Sequence, residues 1–281
     1  MKAALETFDA RKTSLVVSSF RVAESGCVVI AETKSGMLRR SKKYAHAPIT
    51  EAIIEVRVTP NPETTATSCK TVFQGISEQL PEMSEMLLMQ AQISGGDRIG
   101  AQATQQLAGY VWNNKERGQV VTVQPDRFSY SQLAPYDRWE TFCPRARDLW
   151  ETYRARTSPQ HVVRVATRFV NRIEIPLPIT DIEDYFRTAP RISPDMSQDL
   201  SGSFMQLHLP QKNSGCIVIL TQAILNPEEG IVPFILDIDV ADQSSEFSTD
   251  EIIWERLEEF RWRKNDIFEA CITDRVRDLI S

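Results

Sequence analysis

The chain has 281 residues, 42% of them hydrophobic and 25% charged, and a formal net charge of −6. That composition suits a globular protein with room for a sizeable core, and no apolar run approaches the ~18 residues of a membrane span. The acidity argues against a general nucleic-acid binder in the main body, because phosphate contacts dominate that affinity and need a basic surface.

The charge is uneven along the chain. Residues 1–43 hold nine Lys/Arg against four Asp/Glu, which leaves the remainder at −11. Residues 1–42 read as an extra N-terminal segment, with two short apolar runs and a basic end at Arg39-Arg40-Ser41-Lys42-Lys43. A start at Met37 fits the pattern as well as one at Met1. No signal-peptide pattern opens the chain, so a cytoplasmic protein is expected. The five cysteines, Cys27, Cys69, Cys143, Cys216 and Cys271, form no C-x-x-C pair. Neither a disulfide framework nor a zinc site is expected, and no cofactor is called for.

From Ile49 to Val58 the alternation of a strand is clear, with Ala52, Ile54, Val56 and Val58 on one face and Glu51, Ile53, Glu55 and Arg57 on the other. Cys69 to Met89 is helical by spacing, through Val72, Phe73, Ile76, Leu80, Met83 and Leu87, with Pro81 as a break or kink. Gln90 to Gln106 is polar and glycine-containing, hence a loop. Gly109 to Asn113, Gln119 to Val123 and Arg127 to Gln132 read as three strands of an antiparallel meander. A long helix then covers Tyr136 to Arg156, its apolar face formed by Trp139, Phe142, Ala146, Leu149, Trp150 and Tyr153, with Pro144 kinking or restarting it.

The stretch Val162 to Pro176 is a long strand with two unlike faces. Val163, Val165, Phe169, Ile173 and Ile175 lie on one; Arg164, Arg168, Arg172 and Glu174 lie on the other. A proline-rich connection follows, with a short helix at Asp181 to Phe186. Strands are expected at Ser203 to Leu209, Cys216 to Leu225 and Phe234 to Val240, the last showing Asp237 and Asp239 on one face. Ser248-Thr249-Asp250-Glu251 has the form of a capping box opening a final helix of about thirty residues, with Phe260, Ile267, Phe268, Cys271, Val276 and Leu279 inward and Thr273-Asp274 able to recap its end.

The two halves, about 43–157 and 158–281, share one order: strand, connection, three strands, long helix. The expected fold is a single α+β domain over 43–281, a largely antiparallel curved sheet with long helices on one face and two pseudo-symmetric halves.

Several segments together carry a resemblance: Lys43-Tyr44-Ala45-His46-Ala47-Pro48-Ile49-Thr50-Glu51-Ala52, Asp126-Arg127-Phe128-Ser129 with Pro135-Tyr136 and Trp139, Arg168-Phe169-Val170-Asn171-Arg172-Ile173, Leu236-Asp237-Ile238-Asp239-Val240, and Phe268 with Ile272-Thr273-Asp274. They resemble a sporadically distributed prokaryotic family of uncharacterised proteins, over about residues 42–280. The resemblance implies no particular activity, cofactor or catalytic residue. A patchy distribution suggests horizontally moved genes of the defence or toxin-antitoxin kind.

His46, His161 and His208 sit in no metal or triad motif, and no phosphate-binding glycine loop occurs. What remains is the charged strand set: Arg57, Arg164, Arg168 and Arg172 as anion-binding candidates, and Glu51, Glu55, Asp237 and Asp239 as their charge partners or as carboxylates for a divalent ion. Three arrangements are open. The charges pair across strands as a structural ladder, or the arginines line a groove for a phosphate, nucleotide or acidic peptide, or the carboxylates hold a metal for phosphohydrolase chemistry. The expected function is that of a non-enzymatic binding or regulatory protein with a protein partner.

Overall fold

In the computed structural model, the residues described are 42–281 apart from 77, 95–99, 212–213 and 244–246. The extra segment up to residue 41, Cys27 and Met37 included, lies outside them. The chain enters as strand β1 (Ile49–Thr59). Beyond two short 3-10 turns, Ser68–Thr71 and Gln74–Ile76, it runs through β2 (Glu82–Ser94), β3 (Gly100–Asn114), β4 (Gln119–Gln124) and β5 (Arg127–Leu133). Helix α1 (Trp139–Thr157) ends the first half. The second begins with β6 (His161–Pro176), followed by a 3-10 turn at Ile182–Asp184, β7 (Ser203–Gln211), β8 (Cys216–Ile224), β9 (Ile231–Asp242) and helices α2 (Asp250–Cys271) and α3 (Asp274–Ile280).

Among the described residues, nine strands form one antiparallel sheet, in the order β2-β3-β4-β5-β1-β6-β9-β8-β7. The expected duplication is visible in that order. β1 and β6 lie side by side at the centre, each flanked by the last strand of its own half, and the remaining strands run outward to the two edges. The halves differ chiefly in β2, which has no counterpart in the second.

Alternation decides which face is covered. Ala52, Ile54, Val56 and Val58 of β1, Phe128 and Tyr130 of β5, Val165, Phe169 and Ile173 of β6, and Phe234, Leu236 and Ile238 of β9 are all buried on one side. Both long helices lie on that side. Phe142 of α1 stacks on Tyr130 with centroids 5.2 Å apart, and Trp150 meets Phe128 edge-on at 5.8 Å. Such aromatic pairs add stabilisation beyond their buried area. The helices are also joined to each other: Trp139 Nε1 donates to Glu258 at 2.5 Å, Arg261 reaches Glu140 at 2.6 Å and Arg154 reaches Asp250 at 2.9 Å. Pro144 stands inside α1 without ending it.

Two expectations in the first half fail. Cys69 to Met89 is not a helix: Cys69, Val72, Phe73 and Leu80 are buried by the two 3-10 turns, and Met83 and Leu87 sit exposed on β2. Nor do the described residues of Gln90 to Gln106 form a loop: 90–94 belong to β2 and 100–106 to β3, paired antiparallel. β4 pairs with β3 only from Tyr110 to Asn114, so the outer part of that pair is a two-stranded ribbon. In the second half the short helix is a single 3-10 turn, and the thirty-residue helix is broken into α2 and α3 at Ile272. Thr249, within the capping-box sequence, is the N-cap of α2, although its side chain makes no capping hydrogen bond; Thr273 begins α3. Val163 and Leu279, expected inward, are 45% and 41% exposed at element ends. Among the described residues no helix is long and apolar enough to cross a membrane.

Candidate functional site

The charged side chains singled out by the sequence all project from the sheet face opposite the helices. Register places Arg127, Arg57 and Arg164 directly across from one another on β5, β1 and β6. Like charges so placed repel. Glu55, two residues along β1, relieves this: it accepts from Arg57 Nε at 2.7 Å and from Arg164, and lies 3.7 Å from Arg127. Burial alone would raise the Glu55 carboxyl, but Arg164, Arg57 and Arg127 together hold it below the usual carboxylate range.

Each remaining arginine has its own acid. Arg164 gives its other nitrogen to Asp239 at 3.2 Å. Arg168 forks onto Asp237, with Nε at 2.9 Å and the terminal nitrogen at 2.6 Å. That bidentate bond, working against burial, raises the guanidinium pKa further. Arg172 stands apart, between Glu174 at 3.4 Å and Glu228 at 3.1 Å. Asp239 is the strained member: burial outweighs Arg164 and Arg168, its pKa is raised, and its Oδ1 has no hydrogen-bond partner. Glu51 forms no ion pair among the described residues and contributes only field to Arg168. No three His, Cys, Asp or Glu side chains among the described residues converge as a metal site, so Glu51, Glu55, Asp237 and Asp239 are not assembled as ligands. The open face is thus a lattice of ion pairs.

The helix-covered side holds a different site. A cavity of about 280 Å³ lies above Phe169 and Asn171 of β6, walled by residues 42–49, by the turn entering α1 (Tyr136, Asp137, Arg138, Trp139, Glu140) and by α2 (Arg261, Lys264, Asn265, Phe268, Glu269). Its volume is close to the lower end for small-molecule pockets, roughly 300 Å³. Four of the segments carrying the resemblance, at Lys43 to Ile49, Tyr136 to Trp139, Phe169 to Asn171 and Phe268, converge here.

Its walls are fixed by buried polar bonds. The Tyr44 hydroxyl donates to Glu269 at 2.5 Å, and Glu269 accepts from Arg277 of α3 at 2.9 Å. Burial and the Glu269 carboxylate push the Tyr44 pKa up to about 12. The His46 N–H donates to the Ile280 carbonyl at 3.0 Å, so the entering chain is stitched to the C-terminal helix. Asn171 donates to the Leu236 carbonyl at 2.9 Å, which fixes its side chain in the floor.

Lys264 sits on the buried stripe of α2, four residues from both Phe260 and Phe268, and its amine lies 3.8 Å from the centroid of Phe169. Desolvation, with Arg261 one turn away, pushes its pKa down to about 7. The ring face favours the ammonium, by about 0.5–1 kcal/mol for such a contact. At about 1.4 kcal/mol per pKa unit that recovers less than one unit, so desolvation wins. Sequence reading missed this site because it treated the aromatic residues as core alone. The available signal was a lysine at a core position of an amphipathic helix.

No protein-family model matches the chain, and no curated protein matches it. Among solved structures, the S. pombe Pct1 RNA triphosphatase in complex with the Spt5 CTD is 11% identical, over 84% of this chain and 85% of that one, with a TM-score of 0.11. A likeness at that score carries no argument about fold or activity.

Proposed function

We propose that the chain is a non-enzymatic binding or regulatory protein whose ligand is a small planar molecule bearing an acidic group, phosphate or carboxylate, held in the cavity above Phe169. One observation carries this reading. Lys42, Lys43 and Lys264 line the cavity and have no hydrogen bond or ion pair with any described residue, whereas its acids are engaged: Glu140 with Arg261, Glu269 with Arg277 and Tyr44, Asp137 with Arg138 at 3.4 Å. Tyr44, Tyr136, Trp139, Phe169 and Phe268 line the same cavity. Amines without an ion-pair partner among the described residues, beside aromatic walls, suit an anionic ring compound. The arginines of the open sheet face already have carboxylates, so an anion would have to displace an internal partner there.

The test is a binding screen with aromatic carboxylates and monophosphates, with inorganic phosphate as control. A ring compound should bind, and replacing Lys42 and Lys43 together by alanine should weaken it at least about tenfold, the loss of roughly 1.4 kcal/mol. Arg168→Ala should leave it unchanged. Equal loss in Arg168→Ala, or no binding by any compound, would overturn the reading.

A protein partner is favoured by a separate observation. The edge strands leave Met83, Leu87, Leu88 and Met89 of β2, and Phe204 of β7, exposed, Met89 by 67% and Phe204 by 73%. Free edges with apolar side chains are templates for strand addition. Loss of a purified partner's binding in Met89→Lys or Phe204→Lys, with the fold intact, checks this; retention in both removes it.

A further inference from the structure

Three amines would serve an anion, but only one is placed against a ring inside the helix layer. Lys264 faces the titratable and charged groups of every wall: Arg261 and Glu269 from α2, Asp137, Arg138 and Glu140 from the entry to α1, and Lys42, Lys43 and Tyr44 from the chain leading into β1. β6 contributes only Phe169 and Asn171. None of the acids pairs with Lys264, and the charge that acts on it is the repulsive one of Arg261. An amine that is desolvated beside another cation is neutral at a pH where an ordinary lysine, titrating near 10.4, is not. This is how lysines become carbonyl nucleophiles.

We propose that Lys264 is a covalent anchor for the ligand, its amine condensing reversibly with the carbonyl of an aldehyde- or ketone-bearing acid that enters the cavity. The proposal rests on the binding reading above. The nitrogen lone pair attacks the carbonyl carbon, the C=O π pair moves to oxygen, and the proton leaving nitrogen ends on that oxygen as a carbinolamine. Loss of the hydroxyl and of the second nitrogen-bound proton as one water gives the C=N bond. Nothing is oxidised or reduced, so no further reactant is needed. The acid group of the ligand then has Lys42 and Lys43 to meet, and its ring the aromatic walls.

The probe is pyridoxal 5′-phosphate, which carries a ring, an aldehyde and a phosphate. The full chain is incubated with it at neutral pH, reduced with borohydride and peptide-mapped; pyridoxine 5′-phosphate, which lacks the carbonyl, is titrated in parallel. Lys264 should be labelled at least about tenfold faster than the exposed Lys70 and Lys115, in keeping with the larger neutral fraction of a desolvated amine. The label at that position should vanish in Lys264→Arg and in Lys264→Met, with circular dichroism confirming the fold. If pyridoxine 5′-phosphate binds while label spreads evenly over surface lysines, the anchor is overturned and the binding reading stands. Preferred labelling of Lys264 without measurable pyridoxine 5′-phosphate binding sustains the anchor and removes the reading for this class of ligand. Neither binding nor preferred labelling overturns both.

Discussion

Arg164 bridges the two halves of the sheet, with one terminal nitrogen on Glu55 of β1 and the other on Asp239 of β9. It is 7% exposed, and it sits opposite Arg57 on the neighbouring strand. The duplication brings β1 and β6 together at the centre, and this one guanidinium neutralises a carboxylate from each half.

Removing it takes from Asp239 its ion-pair partner and from Glu55 one of three arginines. Arg164→Ala should cost about 3 kcal/mol, the low end for breaking a buried pair because Glu55 keeps Arg57. Arg168→Ala, at a more exposed arginine with a single partner, should cost less, about 1–2 kcal/mol. Urea denaturation of the two variants checks the order; equal costs would mean that the two pairs are equivalent.

Glu55 and Asp239 should respond oppositely to acid. Glu55 is held low, so its contribution is complete above its unfolded pKa, near 4.3, and is lost as pH falls through the lower folded value. Asp239 is held high. Its ionisation therefore costs stability as pH rises from its unfolded value, near 3.9, through the folded one. The stability advantage of wild type over Asp239→Asn should accordingly be larger near pH 4 than at pH 7. Measured over that range, an advantage that grows with pH would contradict the assignment.

How much of this was legible varies with position. β1, β6 and β9 each have one face on the helices and one on the charge lattice, so strict alternation marks them in the sequence, down to Asp237 and Asp239 on one side. The β2–β3 ribbon extends past β4, and at its start Met83, Leu87, Leu88 and Met89 are exposed. Its run of glutamines, alanines and glycines carries no alternating apolar period, so it looks like a loop. Around Val72, Phe73, Ile76 and Leu80 the helical spacing is real, but only Ile76 lies in a 3-10 turn and the others lie beside the two turns; Pro81 was the truer signal, marking the boundary that β2 respects. The ion-pair set could be read as candidates because charge on a strand face is visible. Which acid each arginine takes depends on register, and the sequence holds no register. Lys264 was readable in principle, since the stripe Ile253, Leu257, Phe260, Phe268 and Cys271 of α2 has a lysine at the gap in its spacing.

Gly109 marks the start of the ribbon, beside the register shift between Met86 and Leu87. A Cβ there would stand 2.1 Å from the Val123 carbonyl oxygen of β4. Because the obstacle is backbone, the strands themselves must separate. Gly109→Ala should cost about 1–3 kcal/mol, the range for overpacking, with faster amide exchange at Val123. Unchanged stability would show that β3 and β4 can part freely at that point.

Lys264 should mark the stability of the protein from the alkaline side. Its folded pKa, near 7, lies below the unfolded value near 10.4, so between those values the unfolded chain binds more protons and stability rises with pH. Below about pH 7 the ammonium is present in both states and the burial penalty is fully felt. Lys264→Met fills a similar length without a charge to desolvate. It should be more stable than wild type near pH 6, and the margin should shrink steadily toward pH 10, where the wild-type amine is neutral in the folded protein. Denaturation at the two ends of that range is the measurement. A margin independent of pH would mean that the amine reaches water and that its depressed pKa is not a property of the folded protein; a margin that grows with pH would reverse the sign and place an acid partner on Lys264.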